Sequence, residues 1–229
     1  MQPLWLLDSI GSRLIIDEQQ AFSDLSISSF GNYFLQLGIW GRSNTFTHKT
    51  HIKNCFLIAT HSFREIDLVA DLDRLPLQDQ AVDVIFLPHT LEQHSNHQDI
   101  LSASANAINE GGALIALGFN PVSLWGLRYW FSGKEFLSGM KRLISVNQYT
   151  HWLVDFGFRV EKIHYFHAII PQRKRYELPL KSDMFNPFLC ACYMITARKE
   201  MIPLTLEKQF IKGKRQKTSL VDSMGRMTI

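Results

Sequence analysis

Several residues in this 229-residue chain could do chemistry, and their spacing limits what that chemistry is. His89 follows a run of apolar residues that Pro88 stops, in Leu87-Pro88-His89-Thr90-Leu91-Glu92. An imidazole at such a point can accept a proton near neutral pH. Alternatively it is a hydrogen-bonded histidine that shapes a pocket wall. Glu92, in the same turn, either orients a neighbour or caps the helix that follows. Gly38 and Gly41, in Gly38-Ile39-Trp40-Gly41, let a backbone turn tightly and approach a ligand, although two turn glycines alone prove little. Asp71 and Asp73 follow a short strand and could accept hydrogen bonds from a ligand, or could be solvated acids in a turn. His89, His94 and His97 invite a metal reading, but no helix or strand spacing makes the three converge, so no metal site is expected. Cys55, Cys190 and Cys192 are too few and too badly spaced for a disulfide framework or a zinc site. Cys190 and Cys192 read as reduced residues packing on one face of a strand.

The elements that must position these groups are legible between Leu75 and Trp130. Val82 to Leu87 is apolar except for Asp83, as a central strand covered on both faces would be. Ile100, Leu101, Ala105 and Ile108 then recur at helical spacing until Gly111 and Gly112 end the pattern, and Ala113 to Phe119 is again continuous and apolar. Strand, helix and strand of this length make a right-handed crossover, so the expected class is α/β with a mostly parallel sheet. Upstream, residues 1 to 30 read as a helical lead-in with Leu4, Leu6, Leu7, Leu14, Ile15, Phe22 and Leu25 apolar and Gly11 breaking the periodicity. Tyr33 to Leu37, Cys55 to Ala59 and Asp67 to Ala70 are further strands, with little room for a crossover helix between the first two. Downstream, Ser145 opens a helix with the stripe Val146, Tyr149, Leu153 and Phe156 and a stop at Gly157. Phe158 to Phe166 and Phe188 to Ala197 are the last strands, the latter antiparallel. Between the fifth strand and that helix the chain is aromatic, and Trp125 and Tyr129, four residues apart, share a helix face.

Three motifs in order carry a family resemblance: Leu87-Pro88-His89-Thr90-Leu91-Glu92, the stretch Gly118 to Gly126 (GFNPVSLWG), and Arg142-Leu143 followed by Trp152 to Phe158. Over roughly residues 30 to 165 the chain resembles a bacterial group of S-adenosylmethionine-dependent methyltransferases of the type 11-like kind. The resemblance implies a Rossmann-like α/β fold with a seven-stranded sheet in the order 3-2-1-4-5-7-6 and helices on both faces. In that order the winding reverses between the first and fourth strands, and ligands bind at the carboxyl ends beside the reversal. The implied cofactor is S-adenosyl-L-methionine, with Gln36, Gly38, Gly41, Asp71, Leu72 and His89 as contacts, His89 as base, and Asn120, Trp125 and Tyr129 facing a small apolar or aromatic acceptor. The chain departs from the family pattern at telling points. Gln36 stands where an acid is usual, Trp40 and Arg42 replace further glycines, and Thr60 and His61 stand where a carboxylate normally grips both ribose hydroxyls, which neutral side chains do less well. A working site therefore requires Trp40 and Arg42 to leave the cleft open. If they fill it, the alternative is a methyltransferase fold that has lost catalysis and serves as a binding or scaffold protein.

Composition bounds the rest. With 46% apolar residues the chain can bury an ordinary core. No run of 18 apolar residues and no leader pattern occurs, so no membrane span and a cytoplasmic location are expected. The net charge of +3 is concentrated beyond residue 206, where six basic residues face two acidic ones. The expected layout is a lead-in over residues 1–30, a methyltransferase-like domain over 31–200, and a basic, disordered tail over 201–229. That tail offers nucleic acid only weak, salt-sensitive contact, since Phe210 is its sole aromatic residue. The sequence does not indicate an oligomeric state.

Overall fold

The computed structural model describes residues 4–25, 31–41, 45–47, 50, 52–62, 66–131, 137–168 and 187–200. The expected basic tail and Arg42 lie outside them. Seven strands form one sheet: β1 Tyr33–Leu37, β2 Asn54–Ala59, β3 Leu68–Val69, β4 Val82–Pro88, β5 Ile108–Phe119, β6 Phe158–Ala168 and β7 Cys190–Lys199. Their order is β3-β2-β1-β4-β5-β7-β6, with β7 antiparallel to both its neighbours and every other pairing parallel. This is the predicted topology, and it places the winding reversal between β1 and β4.

Period-two alternation divides the strands between two cores. Leu35, Leu37, Ile85, Leu87, Leu114 and Ala116 point to one face, where α3 (His97–Ala107) and α5 (Val146–Asp155) cover them with Ile100, Leu101, Tyr149 and Leu153. Phe34, Val84, Phe86, Ile115 and Leu117 point to the other, under α1 (Ser9–Ser23) and α4 (Leu124–Phe131). Continuous apolar runs at β4 and β5 are thus the sequence of strands covered twice. A four-residue helix, α2 (Thr90–Gln93), follows β4 directly.

Local signals explain most boundaries. Ser145 caps α5 by accepting the Gln148 N–H at 3.3 Å, and Gly157 (φ +79°) follows its end. Lys199 reaches from β7 to the carbonyls of Ala105 and Ile108, at 2.6 and 2.8 Å, and so satisfies the C-terminal end of α3. Two expectations need correcting. Ile108 does not extend the helix: β5 begins there, and Gly111 and Gly112 lie inside the strand beside an irregular pairing with Val82 to Val84, rather than stopping a helix. Gly11 does not break the lead-in either. It lies in the first turn of α1, where Leu6 of the preceding 3₁₀ turn approaches too closely for a side chain.

Asp83, the polar exception in β4, pins the far end of the sheet. Its carboxylate accepts the Asn32 and Tyr33 N–H groups at 2.8 and 3.0 Å and the Asn109 amide at 2.7 Å. Partial burial alone would push its carboxyl up, but these three bonds hold it below the usual carboxylate range.

Candidate active site

The carboxyl ends of β1 and β4 converge on His89. Its backbone is left-handed, with φ +54°, a conformation costing strain in a non-glycine residue and one that turns the chain sharply from β4 into α2. Thr90 locks the turn by donating its hydroxyl to the Leu37 carbonyl at the end of β1. Gly38 sits opposite at φ +90°, and a Cβ there would come within 3.0 Å of the Thr90 hydroxyl, so the two strand ends close on each other.

The His89 ring is fully buried between two carboxylates. Nδ1 lies 2.7 Å from Glu92 and Nε2 lies 2.9 Å from Glu18 of α1. With both carboxylates ionised, both nitrogens donate and the ring is the imidazolium. Burial alone would lower the His89 pKa, but hydrogen bonds and charge from Glu18 and Glu92 raise it to about 9. Glu92 is pushed up by burial, against bonds from His89 and the Phe119 N–H at 3.0 Å and a longer one from the Ile144 N–H at 3.4 Å. Glu18 receives a further charge-assisted bond from the Trp40 indole N–H at 2.6 Å.

Trp40 is where the expectation of an open cleft meets the structure. Its side chain is 0% exposed and lies over the His89 ring at 4.3 Å between centroids. Phe119 flanks the imidazole at 4.1 Å, and Trp5 and Trp125 complete an aromatic roof. In this arrangement neither His89 nitrogen is open to a substrate, and Trp40 occupies the ground in front of the glycine turn. The condition that Trp40 leave the cleft open is therefore not met here.

The other predicted site residues are distributed as follows. Gln36 is buried, with its amide N–H donating to the Gly38 carbonyl at 3.1 Å and its Oε1 accepting no hydrogen bond from the described residues. Gly41 has φ +71° and abuts Thr45 and Ile15. Asp71 is exposed at the turn after β3, whereas Leu72 is buried in the core on the α3 side. Asn120 donates to the Cys190 carbonyl at 3.1 Å and accepts the Val122 N–H at 3.3 Å, fixing the corner where β7 begins. Trp125 is buried and stacks on Phe119, and the half-buried Tyr129 donates to the Met140 carbonyl at 3.3 Å. His89, Gln36, Gly38 and Gly41 are thus brought together, while Asp71 lies at the β3 end and Asn120, Trp125 and Tyr129 serve the β5 corner.

Sequence reasoning missed Glu18. A signal existed: Leu14, Glu18, Ala21, Phe22 and Leu25 share one helical stripe, and a lone carboxylate on a buried face needs a partner. Cys192 was read only as packing, yet Glu18, His89 and Cys192 place one donor atom each within 4.8 Å of one another. Burial holds the Cys192 thiol well above its usual range, and the Nε2 proton of His89 is already committed to Glu18, so the group reads as an ion-pair cluster around one imidazolium. The His94 ring is bonded to the Thr90 carbonyl and His97 packs at a tilt against Trp152, so the three histidines that first invited a metal reading each serve a different neighbour.

Comparison with known proteins agrees with the topology. Residues 49–116 match the family described as methyltransferase domain. The chain is 30% identical over 161 residues to the uncharacterized protein YafS of Escherichia coli K12, covering 70% of this chain and 65% of that one, so it spans less than two thirds of that relative. A solved structure from Thermotoga maritima, described as a SAM-dependent methyltransferase and possible histamine N-methyltransferase, superimposes with a TM-score of 0.67 at 17% identity over 86% of this chain and 93% of the other. A SAM-dependent methyltransferase from Archaeoglobus fulgidus gives 0.63 at 18% identity over 83% and 96%. Strand order, crevice position and these likenesses together show that the chain carries the Rossmann-like fold of the S-adenosylmethionine-dependent methyltransferases, with residues 49–116 matching their methyltransferase domain family.

Proposed function

We propose that this protein is an S-adenosylmethionine-dependent methyltransferase whose crevice is in a shut state, with α1 and Trp40 as the parts that must move. The observation that carries this reading is the buried Gln36 Oε1, an acceptor with no donor among the described residues, placed beside Gly38 at the reversal point where this fold binds its ligand. The residues present do not seat a sulfonium nucleoside while Trp40 lies on His89, so no methyl-transfer step is derived from this arrangement. When bound, the cofactor supplies an electrophilic methyl group. The chain supplies position and dryness: the aromatic roof of Trp5, Phe119 and Trp125 excludes water and suits a small apolar or aromatic acceptor. His89, clamped by two carboxylates, is a positioning residue in the shut state. Release of Glu18 would free Nε2 and lower its pKa, the condition under which His89 could take a proton.

A second reading, a binding protein that keeps the fold without catalysis, is favoured by the complete burial of both Trp40 and His89. Calorimetry with S-adenosylhomocysteine separates the two. The enzyme reading expects weak binding by the natural chain and about tenfold tighter binding by Glu18→Gln and Trp40→Gly, a difference of about 1.4 kcal/mol. No heat from any of the three, each shown to be folded by circular dichroism, leaves only the second reading.

A further inference from the structure

Among the described residues, four buried side-chain polar atoms find no hydrogen-bond partner, and three of them belong to elements that meet at one corner. They are Gln93 Nε2 at the end of α2, His97 Nδ1 at the start of α3 and Tyr149 Oη on α5. His97 packs against Trp152, one turn along α5 from Tyr149, with ring centroids 5.3 Å apart, and so joins α3 to α5. Tyr149 itself is 1% exposed. The amide nitrogen of Gln93 can only donate, and buried polar groups are normally paired, so this grouping marks a place where an acceptor is missing.

Charge narrows what that acceptor is. Lys141 and Arg142, both exposed, are fastened beside Gln93, because their backbone N–H groups bond the Glu92 carbonyl at 2.7 and 3.3 Å. The Arg142 guanidinium donates to Gln148 Oε1 at 2.7 Å, one turn of α5 before Trp152. Gln148 is neutral, so this bond positions the cation without neutralising it. Burial first, and then the charges of Lys141 on both rings and of Arg142 on His97, hold His94 and His97 below the ordinary imidazole value. The nearby carboxylates are engaged elsewhere or face solvent: Glu92 grips His89, Asp73 accepts the Asn96 amide at 2.8 Å, and Asp99 is exposed. Both α3 and α5 start at this corner, and Asn96, committed to Asp73, leaves the first turn of α3 without a side-chain cap. Their N-terminal ends add to the positive field. Donors and cations in this number suit an oxyanion, and a tetrahedral phosphate has more acceptor oxygens to meet them than a carboxylate.

We propose that the corner where α2, α3 and α5 meet binds the phosphate group of a small molecule, with Gln93, His97, Lys141 and Arg142 as its partners. Glu92 links this corner to the buried His89, since its carbonyl holds the backbone of residues 141 and 142 while its carboxylate holds the ring. The inference does not rest on cofactor binding. Its test is calorimetry of the full chain with inorganic phosphate at neutral pH and fixed ionic strength, with acetate as the control, alongside the imidazole resonances. Phosphate should bind and shift His94 and His97 more than the exposed His61 and His151. It should also raise the titration midpoints of His94 and His97, because a nearby anion favours the charged ring. The surface variants Arg142→Gln and Lys141→Gln, each with an unchanged circular dichroism spectrum, should bind phosphate at least about tenfold more weakly. Four results each overturn the proposal: no binding by the natural chain at millimolar phosphate, equal binding of acetate, undiminished binding by both variants, or binding that leaves His94 and His97 unshifted.

Discussion

Glu18 of α1 and His89 at the end of β4 meet at 2.9 Å across 71 residues of chain, with no exposed surface on either side chain. A helix outside the sheet is thereby tied to the reversal point of the sheet by charge. Around it, Asp17 bonds His167 at 2.7 Å and Gln19 bonds the Thr45 carbonyl at 2.7 Å, so three consecutive residues join α1 to three different segments. In the proposed shut state these polar contacts hold the lead-in over the reversal point of the sheet.

Removing Glu18 should show how much that tie contributes. Breaking a buried ion pair by taking one partner typically costs about 3–5 kcal/mol, because the other charge is left uncompensated. Glu18→Ala should approach the lower end, since His89 can shed its proton and keep Glu92. Glu18→Gln, which keeps one acceptor oxygen for either the imidazole or the Trp40 indole, should cost less. Urea unfolding of the three proteins checks the order, and equal stability of Glu18→Ala and the natural chain would show that the pair is not formed in solution.

Asp83 predicts a comparable effect far from the crevice. Its carboxylate serves two backbone N–H groups and the Asn109 amide. Asp83→Ala leaves donors without an acceptor and should cost about 1–3 kcal/mol. Because the folded carboxyl is held below its ordinary value, this contribution is present at neutral pH and disappears as pH falls through the folded pKa. A stability difference between Asp83→Ala and the natural chain that persists undiminished in strong acid would contradict the assignment.

Much of the sheet could be read from the chain because each face is set by alternation: Leu35 and Leu37 against Phe34, Ile85 and Leu87 against Val84 and Phe86. The α5 boundaries were legible because Ser145 and Gly157 are chemical signals. The crevice was less so. His89 could be singled out by its position after Pro88, but its state depends on Glu18, whose distance in sequence hides the pair. Ile108 misled because helical spacing does not reveal that a strand has taken over one residue after Ala107. The motif Gly118 to Gly126 was recognised as a family mark, and its physical content is a corner. Asn120 ties β7, Ser123 donates to the Asn120 carbonyl at 2.7 Å and accepts the Gly126 N–H at 3.2 Å, and Gly126 packs against Pro121.

That corner gives a substitution whose sign is decided by magnitude. In a helix, Gly126→Ala would gain about 1 kcal/mol of propensity. The added Cβ, however, would stand 2.2 to 2.6 Å from the Pro121 backbone, which has no flexible end to move aside. Overpacking of a rigid contact costs typically about 1–3 kcal/mol. The clash should win, and thermal unfolding of Gly126→Ala should show a lowered Tm; a raised Tm would mean that α4 does not sit against Pro121 as described.

The state of His89 makes stability depend on pH in a defined window. Burial opposes the charged ring, but Glu18 and Glu92 raise its pKa from an ordinary 6.5 to about 9. The folded protein therefore holds a proton that the unfolded chain releases, and stability falls wherever the folded state binds more protons. The contribution is fully present below about pH 6.5 and is lost as pH rises to about 9, amounting to roughly 3 kcal/mol in all. Glu92, pushed up by its burial, acts in the same direction and does not cancel it. Urea-unfolding free energies measured from pH 6 to 9.5 should decline for the natural chain and decline less for His89→Gln, which cannot carry the charge. The nitrogen shifts of His89 in the same range should report both ring nitrogens protonated at pH 7; a neutral ring there would mean that the two carboxylates do not grip it together, and that Nε2 is already free to work as a base.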